Sequence, residues 1–210
     1  MKQIDIAIPF GNNCRPAYHL ARSGLRVKAY PLDWCTADFK THIEILKNKY
    51  EDFFDNYVEF ENTFDDKARF LKDTKYEIKT MHQVRIDLEI KDAIQDFKNL
   101  IMKRYNRLDN DLKNANTILL VNNKKNLTDE DIKTNINELL EIYPNKEIIF
   151  LNVIEGNDCT KRKVQLTDNI LLLQCTIIDK FEYVPGINEW DNWVGNIREW
   201  EKILADFQLK

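Results

Sequence analysis

The sequence predicts an α/β fold, a three-layer α/β/α sandwich around a mostly parallel, Rossmann-like sheet. Three segments, 116–123, 146–153 and 169–178, each contain a continuous apolar stretch (ILLV, IIFL and ILLL), which is typical of strands buried on both faces. Helical patterns alternate with most of the strand patterns, which favours parallel strands with helices on both faces of the sheet. The 210 residues suit one domain, so we expect 1–210 to form a single unit.

The chain begins with a strand-to-helix unit. The β-rich run 3–10 ends at Gly11, and a helix follows from about Arg15. Pro16 is acceptable in the first turn of that helix, where its missing N–H removes no hydrogen bond, and Gly24 stands near its end.

Three more helices are predicted in the middle of the chain. The first has Thr36 as its N-cap and carries His42 on its solvent side. The second is a long polar helix over 84–113. The third opens at Thr128, with Asp131 three residues on, a spacing typical of a helix start. The stretch between the first two is weakly periodic and is expected to hold short strands or irregular structure.

The C-terminal segment 188–208 is predicted to be an amphipathic helix. Its apolar side carries Trp190, Trp193, Ile197, Trp200 and Leu204. We interpret this stripe as a helix docking on the core, with a partner-binding surface as the alternative.

Composition excludes several classes of function. The chain has 31 basic and 35 acidic side chains and a net charge of −4, which argues against a nucleic-acid binder. It has no signal-peptide pattern and no apolar run of about 18 residues, so we expect a cytoplasmic protein with no membrane span. No metal, flavin or nucleotide motif is present, and we expect no metal and no bound cofactor.

Cys14 is the best candidate for a reactive group. It lies in Gly-Asn-Asn-Cys between the first strand and the first helix, where α/β proteins form sites. A helix N-terminus favours a thiolate and can lower a cysteine pKa. Its free N–H groups, with Asn12 or Asn13, are expected to receive an oxyanion, and Gly11 permits the tight turn. The alternative is a cysteine that only packs.

A thiol nucleophile needs a base, and the chain has three histidines. His19 follows Cys14 by one and a half turns and faces elsewhere, and His42 is expected at the surface. His82, near the end of a strand or loop, is therefore the best-placed base. Asp33 is expected to orient that histidine or bind substrate, or else to serve a turn.

Arg104 and Arg107 on the long helix are candidates for holding an anionic substrate, although solvated helix charges are the more ordinary interpretation. The other three cysteines show no reactive context: Cys35, Cys159 and Cys175. We expect all of the cysteines to be free thiols.

The opening of the chain carries a spaced set of residues: Gly11, Cys14, Ala17, Leu20, Leu25, Arg26, Pro31, Asp33 and Trp34. This set resembles the opening of the putative papain-like cysteine peptidase family, a bacterial family whose members begin with Gly-x-x-Cys, Ala-x-x-Leu, Leu-Arg and Pro-Phe-Asp-Trp. Leu32 stands here in place of the phenylalanine. The family's His-Asp-Phe-like element corresponds to Met81-His82-Gln83, with Gln83 in place of the acidic residue. The resemblance implies a nucleophile–base pair of Cys14 and His82.

These observations give three functional hypotheses. The first is a thiol hydrolase acting on an acyl or peptide bond of a small molecule, glycan or peptide, with Trp34 and Arg104 contacting the substrate. The second is an acyltransferase of surface-polysaccharide biosynthesis, because the Gly-x-x-Cys turn also resembles capsule-polysaccharide acetyltransferases, which bind coenzyme A. The third is a binding domain without turnover, favoured by Gln83. The sequence does not predict the oligomeric state.

Overall fold

A computed structural model describes residues 1–61, 67–123, 127–178, 180 and 193–210. Its five helices are α1 (Arg15–Arg22), α2 (Phe39–Lys47), α3 (Ile90–Asn114), α4 (Asp129–Ile142) and α5 (Ile197–Leu204). Its strands are β1 (Lys2–Ile4), β2 (Ile6–Pro9), β3 (Cys35–Thr36), β4 (Tyr57–Glu59), β5 (Ala68–Asp73), β6 (Lys79–Arg85), β7 (Thr117–Asn122), β8 (Glu147–Glu155), β9 (Thr160–Thr167), β10 (Ile170–Ile177) and β11 (Phe207–Leu209).

The largest sheet has the strand order β2-β7-β8-β10-β9. Its first four strands are parallel, and β9 pairs with β10 in the antiparallel sense. The three predicted apolar strands are β7, β8 and β10, and the mixed α/β class is confirmed. β2, which leads into the Cys14 loop, is an edge strand of this sheet.

The run predicted as one strand, 3–10, forms two. Asp5 separates them, because its carboxylate accepts hydrogen bonds from the N–H groups of Asn116 and Thr117, both at 2.8 Å. The short strand β1 then pairs with β11 in a separate parallel ribbon, while β2 pairs with β7.

The two faces of the large sheet contribute to two apolar clusters. Leu120, Phe150 and Leu172 pack with side chains of α2, α3 and α4. Leu119 and Leu151, which point the other way along β7 and β8, pack with side chains of α1 and α5. Burial on both faces explains why these strands are apolar without alternation.

A second, antiparallel sheet has the order β3-β6-β5-β4. Cys35 of β3 pairs with Thr80 of β6. Leu71 of β5 also pairs with Thr80, and Arg69 pairs with Val84. Between these two pairs the chain advances four residues along β6 but only two along β5. The extra residues form a bulge that includes His82, and such bulges redirect side chains. Short strands and this bulge account for the weak periodicity of the region.

Two predicted helix starts are wrong. Thr36 lies in β3, and α2 is instead capped by Asp38, whose carboxylate accepts from the Thr41 N–H at 2.9 Å. The long helix does not begin at Val84, which lies in β6, but at Ile90. The predicted start of α4 is confirmed, with Thr128 and Asp131 capping each other.

The C-terminal prediction extends beyond α5. Residues 188–192, with Trp190, lie outside the described residues, and β11 follows the helix where more helix was expected. Trp200 is buried and stacks on His19, with ring centroids 4.4 Å apart. None of the helices in the described ranges has both the length and the hydrophobicity that a membrane crossing needs.

Candidate functional site

Cys14 lies at the end of the loop that connects β2 of the parallel sheet to α1. The loop from Phe10 leaves the carboxyl end of β2, and the Phe10 N–H still donates to the Val121 carbonyl of β7 at 2.8 Å. Cys14 is the N-cap of α1, and its carbonyl accepts from the Tyr18 N–H at 3.0 Å. Its side chain is half-buried.

Asn123, the first residue after β7, holds this loop against the sheet. Its Oδ1 accepts from the Asn12 N–H at 3.0 Å, and its Nδ2 donates to Asn13 Oδ1 at 2.8 Å. Asn13 Oδ1 also accepts from the Arg15 N–H at 3.0 Å. The Asn13 side chain is therefore engaged in bracing the turn. Among the described residues, the Asn13 N–H takes part in no hydrogen bond, so it is free to donate to a ligand.

Gly11 is required by the close approach of its neighbours. A Cβ at this position would lie 2.3 Å from Pro16 Cγ and 2.8 Å from Asn123 Oδ1. Such contacts are too short for any side chain, so the tight packing of the loop depends on glycine here.

Burial reverses the expected effect of the helix N-terminus on Cys14. Desolvation raises the pKa of the thiol above its usual value, and this outweighs the opposing effects of the Cys14 N–H and the Arg15 charge. The prediction of a lowered pKa is therefore wrong for the free protein. The group rests as a neutral thiol at neutral pH and needs a base to become a nucleophile.

His42 is buried, which corrects the surface position expected for it. Its ring stacks on Phe10 with centroids 4.8 Å apart, and Nε2 lies 3.4 Å from the Gly11 carbonyl oxygen. Burial lowers its pKa to about 4, so the ring is neutral at pH 7 and donates from Nε2 to that oxygen. His42 thus supports the Cys14 loop from the side of α2.

The other two histidines are in different surroundings. His19 is buried, with Nε2 2.8 Å from the Val194 carbonyl oxygen and its ring on Trp200. His82 is exposed on the bulged part of β6. Its neighbour Gln83 points toward the polar residues described next.

Asp33 is buried and paired with an arginine. Its Oδ2 accepts from Arg26 Nε at 2.8 Å, from a second nitrogen of that guanidinium, and from the Tyr30 N–H at 2.9 Å. Burial raises the pKa of Asp33 above its usual value, against the opposing effect of Arg26. Its Oδ1 has no hydrogen-bond partner among the described residues.

Gln83 links α3 to the buried thiol of Cys35. Arg104 Nη1 donates to Gln83 Oε1 at 3.1 Å, and Gln83 Nε2 lies 3.9 Å from Cys35 Sγ. Burial raises the pKa of Cys35 to about 12, so this thiol is neutral at pH 7. Thr80, which pairs with Cys35 across β6 and β3, is buried.

Aromatic contacts connect this polar cluster to α1. Trp34 and Trp193 have ring centroids 6.4 Å apart, and Trp193 and Tyr18 have centroids 5.3 Å apart. Trp34 of the opening motif is thus connected to α1 through Trp193.

Comparison with known proteins gives a family. Residues 5–154, more than two thirds of the chain, match the model of the family described as "Putative papain-like cysteine peptidase (DUF1796)". The chain belongs to this family. No curated protein and no solved structure matched the chain significantly. The matched range in this papain-like peptidase family member covers both the Cys14 loop and the Arg104 helix.

Sequence reasoning missed the contact between Gln83 and Cys35 and misplaced His42. Cys35 directly follows the Asp-Trp of the opening motif, which was the one available signal. Its contact with Gln83 depends on the pairing of β3 with β6, which links positions far apart in the chain.

The contacts of Gly11 predict that Gly11→Ala displaces the Cys14 loop. We expect a loss of about 1–3 kcal/mol in the free energy of unfolding, because the new methyl overlaps Pro16. Urea denaturation measures this loss.

The control is Pro16→Ala, alone and combined with Gly11→Ala. Removing the Pro16 ring relieves the shortest contact, so the double variant should lose less than the sum of the single variants. Strictly additive losses would contradict this origin of the strain.

The buried His42 predicts a pH-dependent stability. Its folded pKa is lowered to about 4, below the value of about 6.5 for an exposed histidine, so the unfolded chain binds its proton first. This contribution to stability is complete above about pH 6.5 and is lost as the pH falls toward 4. In the variant His42→Gln, which retains an N–H donor, stability should fall less steeply over that window. Equal slopes for the two proteins in urea denaturation would rule out this assignment.

Proposed function

We propose that the protein is a thiol hydrolase in which Cys14 attacks the carbonyl carbon of an acyl or peptide bond. The observation that carries this proposal is the position of Cys14: half-buried, at the carboxyl end of β2 and the N-cap of α1, in a chain of the papain-like peptidase family. A thiol fixed in a braced loop meets the geometric need of a nucleophile better than one on a flexible segment.

The raised pKa of Cys14 makes a base necessary. We infer that His82 takes the thiol proton, as the family resemblance implies. Its imidazole is exposed, and it lies on β6, which pairs with β3 directly after the opening motif. His42 is unsuited to this role, since its pKa of about 4 leaves it a weak base in an apolar setting.

The backbone of the loop supplies the oxyanion site. The N–H groups of Asn12 and Arg15 are already bonded to side chains, and Pro16 has none. The Asn13 and Cys14 N–H groups remain, and the Cys14 N–H already favours negative charge at its own sulfur. We infer that these two receive the negative charge that develops on the carbonyl oxygen.

The proposed reaction has two steps, acylation of Cys14 and hydrolysis of the resulting thioester. His82 accepts the thiol proton while sulfur bonds to the carbonyl carbon, and the leaving amine or alcohol takes that proton as its bond to carbon breaks. Water then gives a proton to His82 and attacks the thioester. The carboxylic acid leaves, and the proton returns to Cys14.

The fold prediction fits this reaction. We infer that the large sheet is the middle layer of three, as the sequence predicts, since α2–α4 and α1 with α5 contribute to separate apolar clusters. In such a fold, loops at the carboxyl ends of parallel strands form the site, and the Cys14 loop and Asn123 lie at those ends.

A second candidate function is a binding domain without turnover. The raised pKa of Cys14 favours it, because the resting thiol is less reactive than an ordinary cysteine. The two functions differ in whether a covalent acyl intermediate forms.

Acylation by p-nitrophenyl acetate distinguishes them. We expect a burst of p-nitrophenol and an acetyl group on Cys14, detected by mass spectrometry of the intact and digested protein. Cys14→Ala should abolish the burst, and His82→Asn should slow it by roughly 10²–10⁴-fold through loss of the base. The control is Cys159→Ser, which removes an exposed thiol and should leave the burst unchanged.

A burst that persists in Cys14→Ala would contradict the proposal, as would wild-type protein that is never acetylated at Cys14. Calorimetric titration of the protein with acetyl coenzyme A distinguishes the hydrolase from the acyltransferase alternative. The hydrolase proposal expects no heat of binding, and a saturable heat that is lost with Cys14→Ala would favour acyl transfer.

A further inference from the structure

A groove lies along β10 on the face of the large sheet that carries α5. Its floor is apolar and includes Leu173 and Cys175 of β10, and Ile203 of α5 forms one of its walls. The cavity that these residues border has a volume of about 220 Å³. We call it the β10 groove.

Lysines of the edge strand β9 form the second wall of the β10 groove. Lys163 pairs with Leu173 in the antiparallel ladder, and Lys161 pairs with Cys175. Directly paired side chains point to the same face of a sheet, so both lysines lie on the groove side. Lys161 Nζ is 3.9 Å from a carboxylate oxygen of Asp206. Among the described residues, no carboxylate lies within ion-pair distance of Lys163, which leaves an uncompensated ammonium group at the rim.

A second ammonium group acts on Lys163. Burial and the charge of Lys163 lower the pKa of Lys2, against the opposing effect of Glu147. Arg162 also borders the groove, but its guanidinium pairs with Asp129. The charges of Lys2 and Lys163 therefore repel each other, and an anion bound at Lys163 would relieve that repulsion.

The backbone beneath the groove favours a hydrocarbon chain over a peptide. β10 is hydrogen-bonded to β8 on one side and to β9 on the other, and β8 is hydrogen-bonded to β7 and β10. The ladder groups of the floor are thus already paired, so a peptide in the groove would leave its own N–H and C=O groups without partners. A hydrocarbon chain has no such groups, and burying it on apolar side chains is favourable.

We propose that the β10 groove binds a fatty acid, with the hydrocarbon chain on Leu173 and Cys175 and the carboxylate at Lys163. The apolar floor matches the chain, and the uncompensated ammonium group matches the head group. β9, β10 and α5 all follow residue 154, so this site is built mainly from the part of the chain beyond the family match. It is independent of the role proposed for Cys14.

Calorimetric titration with octanoate tests the site, with butyrate and 1-octanol as comparison ligands. Butyrate has the charge but a short chain, and 1-octanol has the chain without the charge. We expect saturable one-to-one binding of octanoate. 1-Octanol should bind about tenfold more weakly, the effect of one charge-assisted contact. Butyrate should bind roughly a hundredfold more weakly, because it buries four fewer methylene groups.

Two substitutions separate the contribution of the charge from that of the chain. Lys163→Gln should weaken octanoate binding about tenfold and leave the affinity for 1-octanol unchanged, and Lys163→Arg should retain most of the octanoate affinity. Leu173→Trp fills the groove and should abolish the binding of both ligands, with urea denaturation to verify that the variant is folded. The matched control is Lys103→Gln, an equal charge change at an exposed lysine of α3, which should have no effect.

The proposal would be overturned by the absence of saturable octanoate binding, by equal affinities for octanoate and butyrate, or by an unchanged octanoate affinity in Lys163→Gln. Binding of hexaglutamate as tight as that of octanoate, and lost in Lys163→Gln, would assign the groove to an acidic peptide instead. A dimer in sedimentation velocity that Leu173→Trp dissociates would assign it to a second copy of the chain. Both of these results would overturn the fatty-acid site, and neither bears on the acylation of Cys14.

Discussion

The clamp between Asn123 and the Gly11–Cys14 loop is the interaction on which the candidate site depends. One side chain at the end of β7 accepts from the Asn12 N–H and donates to Asn13, and Asn13 in turn accepts from the Arg15 N–H. These bonds fix both the turn and the start of α1. The parallel pairing of β2 with β7 brings the partners together, so the sheet sets the position of Cys14.

The clamp also explains the chemical state of Cys14. A loop packed this closely buries part of the thiol. Desolvation then raises the pKa of Cys14 more than the helix N-terminus and Arg15 lower it. Cys14 is therefore protonated at rest. In the proposed function, its attack on a carbonyl carbon needs a base for this reason.

A second polar cluster contains Asp33, Arg26 and Arg104. Arg26 pairs with Asp33, and Arg104 donates to Gln83. The antiparallel sheet positions Gln83 here, because the pairing of β3 with β6 brings it to Cys35. The parallel sheet thus positions the Cys14 loop, and the antiparallel sheet positions this polar cluster.

The sequence predicted the parts of the fold that depend on burial. β7, β8 and β10 are apolar throughout because both of their faces are covered, and that pattern is visible without a structure. The edge strand β9 was not predicted, since its exposed residues include Lys161 and Lys163, which are typical of an unpaired edge but not of an apolar run.

Long-range pairing accounts for what sequence reasoning missed at the site. Cys14 and Asp33 are found in local motifs, whereas the link from Cys35 to Gln83 depends on strand register. His42 is buried because the Gly11 carbonyl and the Phe10 ring satisfy it, and both partners lie about thirty positions away in sequence. No local pattern records such contacts.

The pH dependence of Cys14 alkylation by iodoacetamide is the most direct test of a nucleophile that rests in the protonated state. Peptide mapping at each pH gives the rate at Cys14, with a urea-unfolded sample as the reference. A midpoint above the value of about 8.5 for a free cysteine, returning to that value on unfolding, is the result predicted by burial of the thiol. A native midpoint at or below that of the unfolded chain would show that the site stabilises the thiolate, and it would contradict the need for a base.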